Sequence, residues 1–403
     1  MSNWDGRLPL LLVGGGMISE QVVMPTIFQE RRLGKVGPIA ISALDAKRLA
    51  HLKEVFPKEE FRCYPDPGKD INAVDPELYK TAIEELDPKG VVIVATPDHF
   101  HTPVIMEAIR AGHHVVCMKP LCLKVAEAHQ IMEQARKLGR CVYTDYHKRH
   151  DRAVRAARYR YRKGDLGQML HGHAWLEEKK AIALEVFKDW CEKSSPFEYV
   201  GVHYVDAYYF ITGLRPRRVI AFGQKKFLPS KGKNAFDAVQ ATIEWEDDSI
   251  LFIQTSWVSP DSDTAWANQG MELRGTKGEY FSHHKDRNTY FVTDDYGFEH
   301  YNPNFFKPYD DWNEPGRMQY VGYGYDSIVL GLDDIRRIHQ ATDGLTEQQA
   351  LAKRQAMIAA LEDIRPLPNQ ALIGTAVNEA VRLSIDNLSR WVSFDEKMYP
   401  HAD

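Results

Sequence analysis

The 403-residue chain has no run approaching the roughly 20 consecutive apolar residues of a membrane span, and its first residues lack the basic-then-apolar layout of a secretion signal. These absences predict a cytoplasmic protein with no membrane partner. Neither sign of charge is in excess: 51 Lys and Arg stand against 56 Asp and Glu, a formal net charge of -5, so nucleic acid is not expected as a partner. Cysteine is scarce. Cys63, Cys117, Cys122, Cys141 and Cys191 form no Cys-x-x-Cys pair and leave an odd count, which fits buried thiols in a reducing compartment better than a disulfide framework. The histidines His113/His114, His171/His173 and His283/His284 complete no metal site either. Adjacent strand residues point to opposite faces and no carboxylate spacing joins them, so no metal is expected.

What is present is enough apolar sequence, 44% of the chain, for two cores. The first third alternates strand-like and helix-like periods. Pro9 to Val13 is an apolar strand, and Ile18 to Glu30 has helical spacing; Ile39 to Leu44, Gly90 to Ala95, His114 to Cys117 and Arg140 to Thr144 read as further strands. Ala46 to Val55, His101 to Ala111 and Val125 to Leu138 read as helices, the last two stopped at Gly112 and Gly139. This is the grammar of a parallel sheet. After a basic helix from Arg152 to Lys163 the period changes to strands at Met169 to Glu177, Arg218 to Phe227, Ala238 to Glu246, Ile250 to Val258, Gln269 to Arg274 and Glu279 to His283. Helices are scarce after Gly213, and Phe298 to Tyr325 reads as an aromatic-rich loop. The expectation is an α/β Rossmann domain over 1–146 followed by an α+β domain over 147–403 with a large, mostly antiparallel open-faced sheet. Pairing of that open face would give a homodimer or homotetramer.

Gly14, Gly15 and Gly16, followed by Met17, Ile18 and Ser19, lie between the first strand and the first helix, where a dinucleotide fingerprint belongs. Gly14 permits the turn, Gly16 admits a pyrophosphate, and the helix start at Met17 and Ile18 offers free N–H donors. Asp45 ends the second strand, where a carboxylate accepts from ribose hydroxyls and repels a 2′-phosphate. NAD is the expected cofactor; Lys47 and Arg48 are the residues that could turn the preference toward NADP.

Two segments, Ala95-Thr96-Pro97-Asp98-His99-Phe100-His101 and Gly112 to Leu121 with Met118-Lys119-Pro120, resemble the Gfo/Idh/MocA oxidoreductases. The resemblance implies that Thr96, Pro97, His99 and His101 border the cofactor, and that Lys119 serves cofactor and substrate. Met118 departs from the family, which has glutamate there. Lys119 also has a case of its own, because it follows a buried strand at the carboxyl edge of the sheet, where ligands of open α/β folds bind. Glu198 to Asp206 resembles the family's Asp-x-Gly-x-His-x-x-Asp stretch, with Tyr199 in place of the aspartate. Helical spacing puts Tyr199, His203 and Asp206 on one face. Lys119, His203 and Tyr199 are the expected catalytic residues.

Tyr146, His147, Lys148 and Arg149 follow the last strand of the first domain and, with Lys179, Tyr199, His203 and Asp206, are candidates for holding the substrate. Lys148, Arg149 or Lys179 in the cleft would suit an anionic sugar. The preferred reading is NAD-dependent oxidation of a secondary hydroxyl of a sugar, glycoside or cyclitol with a Lys/His proton relay. An alternative is an NAD-dependent glycosidase that oxidises transiently, eliminates, adds water and reduces again; another is a non-catalytic NAD-binding regulator.

Overall fold

The computed structural model describes residues 4–403. Along the chain run β1 (Leu8–Val13), α1 (Met24–Arg32), β2 (Val36–Ser42), α2 (Ala46–Val55), β3 (Arg62–Tyr64), α3 (Leu78–Glu84), β4 (Val91–Val94), α4 (His101–Arg110), β5 (His114–Met118), α5 (Val125–Leu138) and β6 (Val142–Asp145). After α6 (Arg152–Arg162) come β7 (Met169–Lys179), α7 (Val202–Thr212), β8 (Pro216–Gln224), the short α8 (Phe227–Ser230), β9 (Ala238–Trp245), β10 (Ile250–Ser259), β11 (Ala267–Gly275) and β12 (Glu279–His283). Two small two-stranded sheets, β13 (Tyr290–Thr293) with β14 (Gly297–His300) and β15 (Lys307–Asp310) with β16 (Met318–Val321), precede α9 (Tyr323–Thr342), α10 (Glu347–Leu361) and α11 (Pro368–Asp386). The chain closes with β17 (Val392–Phe394) and β18 (Pro400–Ala402). Among the described residues no helix is long and apolar enough to cross a membrane.

Two compact units result. The first takes in the chain up to Leu121, then 127–147 and 308–370; the second takes in 122–126, 148–307 and 371–403. The first unit holds a six-stranded sheet in the order β3-β2-β1-β4-β5-β6, parallel throughout. Its central strand β4 is Val-Val-Ile-Val, fully buried, as an all-apolar run must be when both faces are covered. The strand order reverses between β1 and β4, and at that point the carboxyl ends leave a crevice.

The return of 308–370 to this unit lies beyond a division of the sequence at 146. α9 approaches β6 so closely that a Cβ on Gly331 would come within 2.9 Å of the Tyr143 ring. The Thr144 amide donates to the Pro366 carbonyl at 2.9 Å, and the Gln29 side chain makes two bonds to the backbone of Tyr320, at 2.7 and 3.0 Å.

The second unit is built on an eight-stranded sheet, β12-β11-β7-β10-β9-β8-β17-β18, in which only the β7–β10 pair is parallel. Alternate residues of β9 and β10 are buried on one face, where Tyr208 of α7 stacks 4.6 Å from Trp245 and Ser384 of α11 receives the Ala221 amide at 3.0 Å. The other face is open, leaving Phe222 and Phe281 exposed.

Two expectations are corrected here. Helices are not scarce after Gly213, since α9, α10 and α11 follow it; polar and apolar residues mix along them, and α9 and α10 serve the first unit, not the second sheet. The stretch from Phe298 to Tyr325 is not wholly loop, because β15 and β16 pair within it.

Candidate active site

The glycine loop leaves β1 under tight constraint. Gly14 has φ +117°, and a Cβ there would stand 2.2 Å from the Ala95 carbonyl oxygen at the end of β4, so only glycine fits. Gly16 is the opposite case, since a Cβ on it would meet nothing within 4 Å and would project into the space above the loop. That bare backbone, followed by a helical turn, is what a pyrophosphate needs, so the residues fit NAD. Met17 and Ile18 enter the helix, which winds one π turn over Ser19–Val23 before α1. The buried Ser19 hydroxyl donates to the Gly14 carbonyl at 2.8 Å and fastens the loop.

Asp45 caps α2, accepting from the Arg48 amide at 2.8 Å. Arg48 turns back onto the loop, donating to the Gly15 carbonyl and, at 2.7 Å, to Glu20. Lys47 is exposed. At the end of β4, Thr96 and Pro97 lead into a short 3-10 turn, Asp98–Phe100, on which His99 packs against Phe100 with ring centroids 4.3 Å apart. His101 is a buried strut: its ring nitrogens lie 2.7 Å from the Pro120 carbonyl and 3.0 Å from the Thr96 carbonyl. Burial pushes its pKa down to about 4, with the neighbouring Lys119 and His99 acting in the same sense and the two carbonyls opposing it. The neutral ring can donate to only one of these two carbonyls and packs against the other, between the Thr96 turn and the loop carrying Lys119.

Lys119, half-buried, follows β5 on the same edge of the sheet as the glycine loop. One residue before it, Met118 pairs in register with Asp145 at the end of β6. Asp145 is 3% exposed, and one of its carboxylate oxygens has no hydrogen-bond partner. Burial pushes its pKa up to about 7, against the pull of the Ser327 hydroxyl and the Lys119 ammonium. His147 Nδ1 lies 4.0 Å from the second oxygen, and buried Tyr146 stands between them in sequence. Asp145 was not among the expected site residues. Its signal was a lone carboxylate ending an otherwise apolar strand beside a lysine loop.

A stability test follows, with a sign fixed by the direction of the shift. The folded protein holds the Asp145 proton between about pH 4 and 7, where an unfolded chain has already lost it, so this contribution to stability is full at low pH and lost as pH rises through about 7. Asp145→Asn should therefore stabilise the protein more at pH 8 than at pH 5, by about 3 kcal/mol in urea unfolding. Equal gains at both pH values would contradict a carboxyl held neutral by burial.

In the second unit, Lys148 and Arg149 do not form a basic surface loop. Lys148 is 2% exposed; its Nζ donates to Gln269 at 2.6 Å and sits 4.8 Å over the Tyr204 ring. Arg149 grips Asp206 with two bonds of 2.8 and 2.6 Å, both residues buried. His203 is buried on α7, whereas Tyr199 lies on a π turn, Phe197–Gly201, that precedes the helix. The three positions 199, 203 and 206 thus do not share one uninterrupted α-helical face. Tyr199 packs among Phe187, Trp190 and Trp257, at 4.7, 5.7 and 6.4 Å between centroids. Lys179 ends β7 with its ammonium 5.5 Å over Trp266.

A glycine loop at the reversal of a parallel sheet, with a lysine on the same edge, defines a dinucleotide-binding protein of the Rossmann class. Family models agree. Residues 9–146 match an oxidoreductase family with an NAD-binding Rossmann fold, and residues 154–281 match the GFO/IDH/MocA C-terminal domain. The chain belongs to the Gfo/Idh/MocA family, and its cofactor is NAD.

Among curated relatives it is similar to a 1,5-anhydro-D-fructose reductase of Ensifer adhaerens, 26% identical over 213 residues, covering 49% of this chain and 59% of that protein. It is also similar to a D-glucoside 3-dehydrogenase of Escherichia coli, 25% identical over 45% of this chain and 55% of that protein. A 2,7-anhydro-N-acetylneuraminate hydratase of Mediterraneibacter gnavus is 24% identical over 52% of this chain and 59% of that protein. The matches span less than two thirds of the length of these relatives. In fold the chain is similar to an inositol dehydrogenase homolog of Azotobacter vinelandii, solved with NADH and myo-inositol, at TM-score 0.68 and 20% identity, covering 96% of this chain and 98% of that one.

Proposed function

We propose that the protein oxidises a secondary hydroxyl of a sugar, glycoside or cyclitol. The observation that carries this reading is Lys119, half-buried at the sheet edge that also bears the glycine loop, with the buried carboxyl of Asp145 beside it. The bound nicotinamide would accept the hydride. Lys119 would take or return the hydroxyl proton, and His101, buried between the Thr96 and Pro120 carbonyls, would brace the Lys119 loop. His203 would complete the relay, which requires α7 to present it to the same substrate. Because Arg149 is neutralised by Asp206 and Lys148 is bound to Gln269, the reading favours an uncharged carbohydrate over an anionic one.

The engagement of Arg48 with Glu20 and the Gly15 carbonyl supports NAD over NADP, since a 2′-phosphate would have to compete with both. NAD should bind at least tenfold tighter than NADP, about 1.4 kcal/mol, in a fluorescence titration. Equal affinities would point to Lys47 and a freed Arg48 at the 2′ position.

A second reading is redox-neutral: transient oxidation, elimination of an aglycone, addition of water and re-reduction. Its support is the similarity to a hydratase and the aromatic packing of Tyr199 where the family has an aspartate. Incubating the protein with NAD and a panel of sugars, cyclitols and chromogenic glycosides separates the two. Accumulating NADH is the expected result; aglycone release without NADH would replace it with the second reading, and neither signal would leave a non-catalytic regulator.

A further inference from the structure

At the opposite edge of the parallel sheet, where β4, β5 and β6 begin, the first unit has a cavity of about 630 Å3. It is bordered by the loop before β4, the turn between α4 and β5, Arg140 just before β6, and the junction between α9 and α10. None of the residues expected to hold NAD or substrate lines it. Its volume falls within the range of about 300–1,000 Å3 typical of small-molecule sites.

The lining is unusual in what it leaves unmet. His113 and His339 are buried, and each has a ring nitrogen with no hydrogen-bond partner. Arg354, 6% exposed, gives one bond of 2.6 Å to Glu347, while its Nε is unpartnered; the Nε of Arg140 is also buried and unpartnered. Among the described residues Arg140 makes no ion pair. The other charged pair in the lining, Lys89 with Asp343, satisfies itself, and Glu84 is exposed. Buried donors normally find partners, so several unpartnered ones around one cavity point to a missing acceptor. The groups also repel one another. Burial first, then the neighbouring guanidiniums, pushes His339 down to about 4; burial first, then Arg354, pushes Arg140 down to about 10.

We propose that this cavity is a second ligand site that binds a phosphate group, either inorganic phosphate or the phosphate of a small phosphorylated metabolite, through Arg140, Arg354 and His339. A tetrahedral dianion accepts hydrogen bonds from several directions at once, which matches donors converging from two helices and one strand start better than a planar carboxylate does. The two guanidiniums supply charge and the His339 imidazole supplies a neutral donor, whereas His113 spends its N–H on the Ile83 carbonyl. The remaining volume leaves room for the organic part of a phosphate ester.

The test uses the full-length protein saturated with NAD, so that phosphate cannot register at the glycine loop. Equilibrium dialysis with radiolabelled inorganic phosphate at constant ionic strength should give one bound phosphate per chain. Arg140→Gln, at a half-exposed position, should weaken that binding at least tenfold while NAD affinity stays unchanged. Arg354→Gln should do the same; if that buried substitution fails to fold, Arg140→Gln alone decides. Repeating the dialysis with a sugar phosphate as competitor separates the two sources, because an ester held by its phosphate displaces the label. Absence of binding at millimolar phosphate, or binding that Arg140→Gln leaves intact, would overturn the proposal. Since the NAD site is monitored separately, either failure leaves the catalytic reading untouched.

Discussion

Lys119→Ala is expected to lower kcat by about 10³-fold or more while changing NAD affinity by less than about threefold, because the acid/base group is lost and the contacts of the glycine loop and Asp45 are not. Single-turnover hydride transfer and a separate fluorescence titration of NAD read the two effects. Loss of NAD binding in parallel with turnover would make Lys119 a cofactor anchor and not the principal proton carrier. His203→Asn should also slow turnover. If both groups serve one proton path, the double variant should be little slower than the slower single one, since a broken path cannot be broken twice. Tyr199→Phe keeps the ring that packs on Phe187 and Trp257, so an aromatic wall predicts a small effect. A drop of about 10² would instead give the phenol a share of the proton transfer.

Asp206→Ala is expected to cost about 3–5 kcal/mol of stability, because it removes the bidentate carboxylate from a guanidinium that is almost fully enclosed. Burial raises the Asp206 pKa even though Arg149 pulls it down, and the buried pair is held by two parallel bonds. Replacing both residues by leucine should recover much of the loss, since the cost lies in the orphaned charge more than in the missing attraction. Urea unfolding measures both variants. A loss below about 1 kcal/mol for Asp206→Ala would mean that Arg149 finds another outlet, and its nearness to the Phe210 ring marks where to look.

These residues also show how far the sequence could be read. The strands and helices of the first unit were legible because each carries a clean apolar period; α2 and α5 span 46–55 and 125–138 as the spacing predicts. The glycine loop was legible because its meaning is local, a strand on one side and a helix on the other. The engagement of Lys148 and Arg149 was not. Their partners, Gln269 and Asp206, lie 121 and 57 residues away, and nothing in a short basic segment says whether it meets water or a distant carboxylate. Asp145 escaped notice for a related reason: its importance comes from the register that sets it beside Met118, and register is a property of two strands. The π turn before α7 was invisible too, because Phe197 to Gly201 has ordinary helical composition and the extra residue per turn is fixed by packing.

The three-part construction of the nucleotide-binding unit has a consequence for how the protein comes into being. A ribosome that has delivered β1 to β6 has made a whole parallel sheet, yet Tyr143 still lacks the helix that lies against it and Gln29 still lacks the backbone of Tyr320. Those partners emerge some 175 to 185 residues later, after most of the second sheet. At about 5–20 residues per second that is an interval of roughly 10 to 40 seconds during which one flank of the nascent sheet is uncovered. The second unit can acquire most of its strands while the first still waits for its last helices, and it is itself finished only when 371–403 have followed. Fragments ending near residue 146 would inherit that unfinished flank permanently.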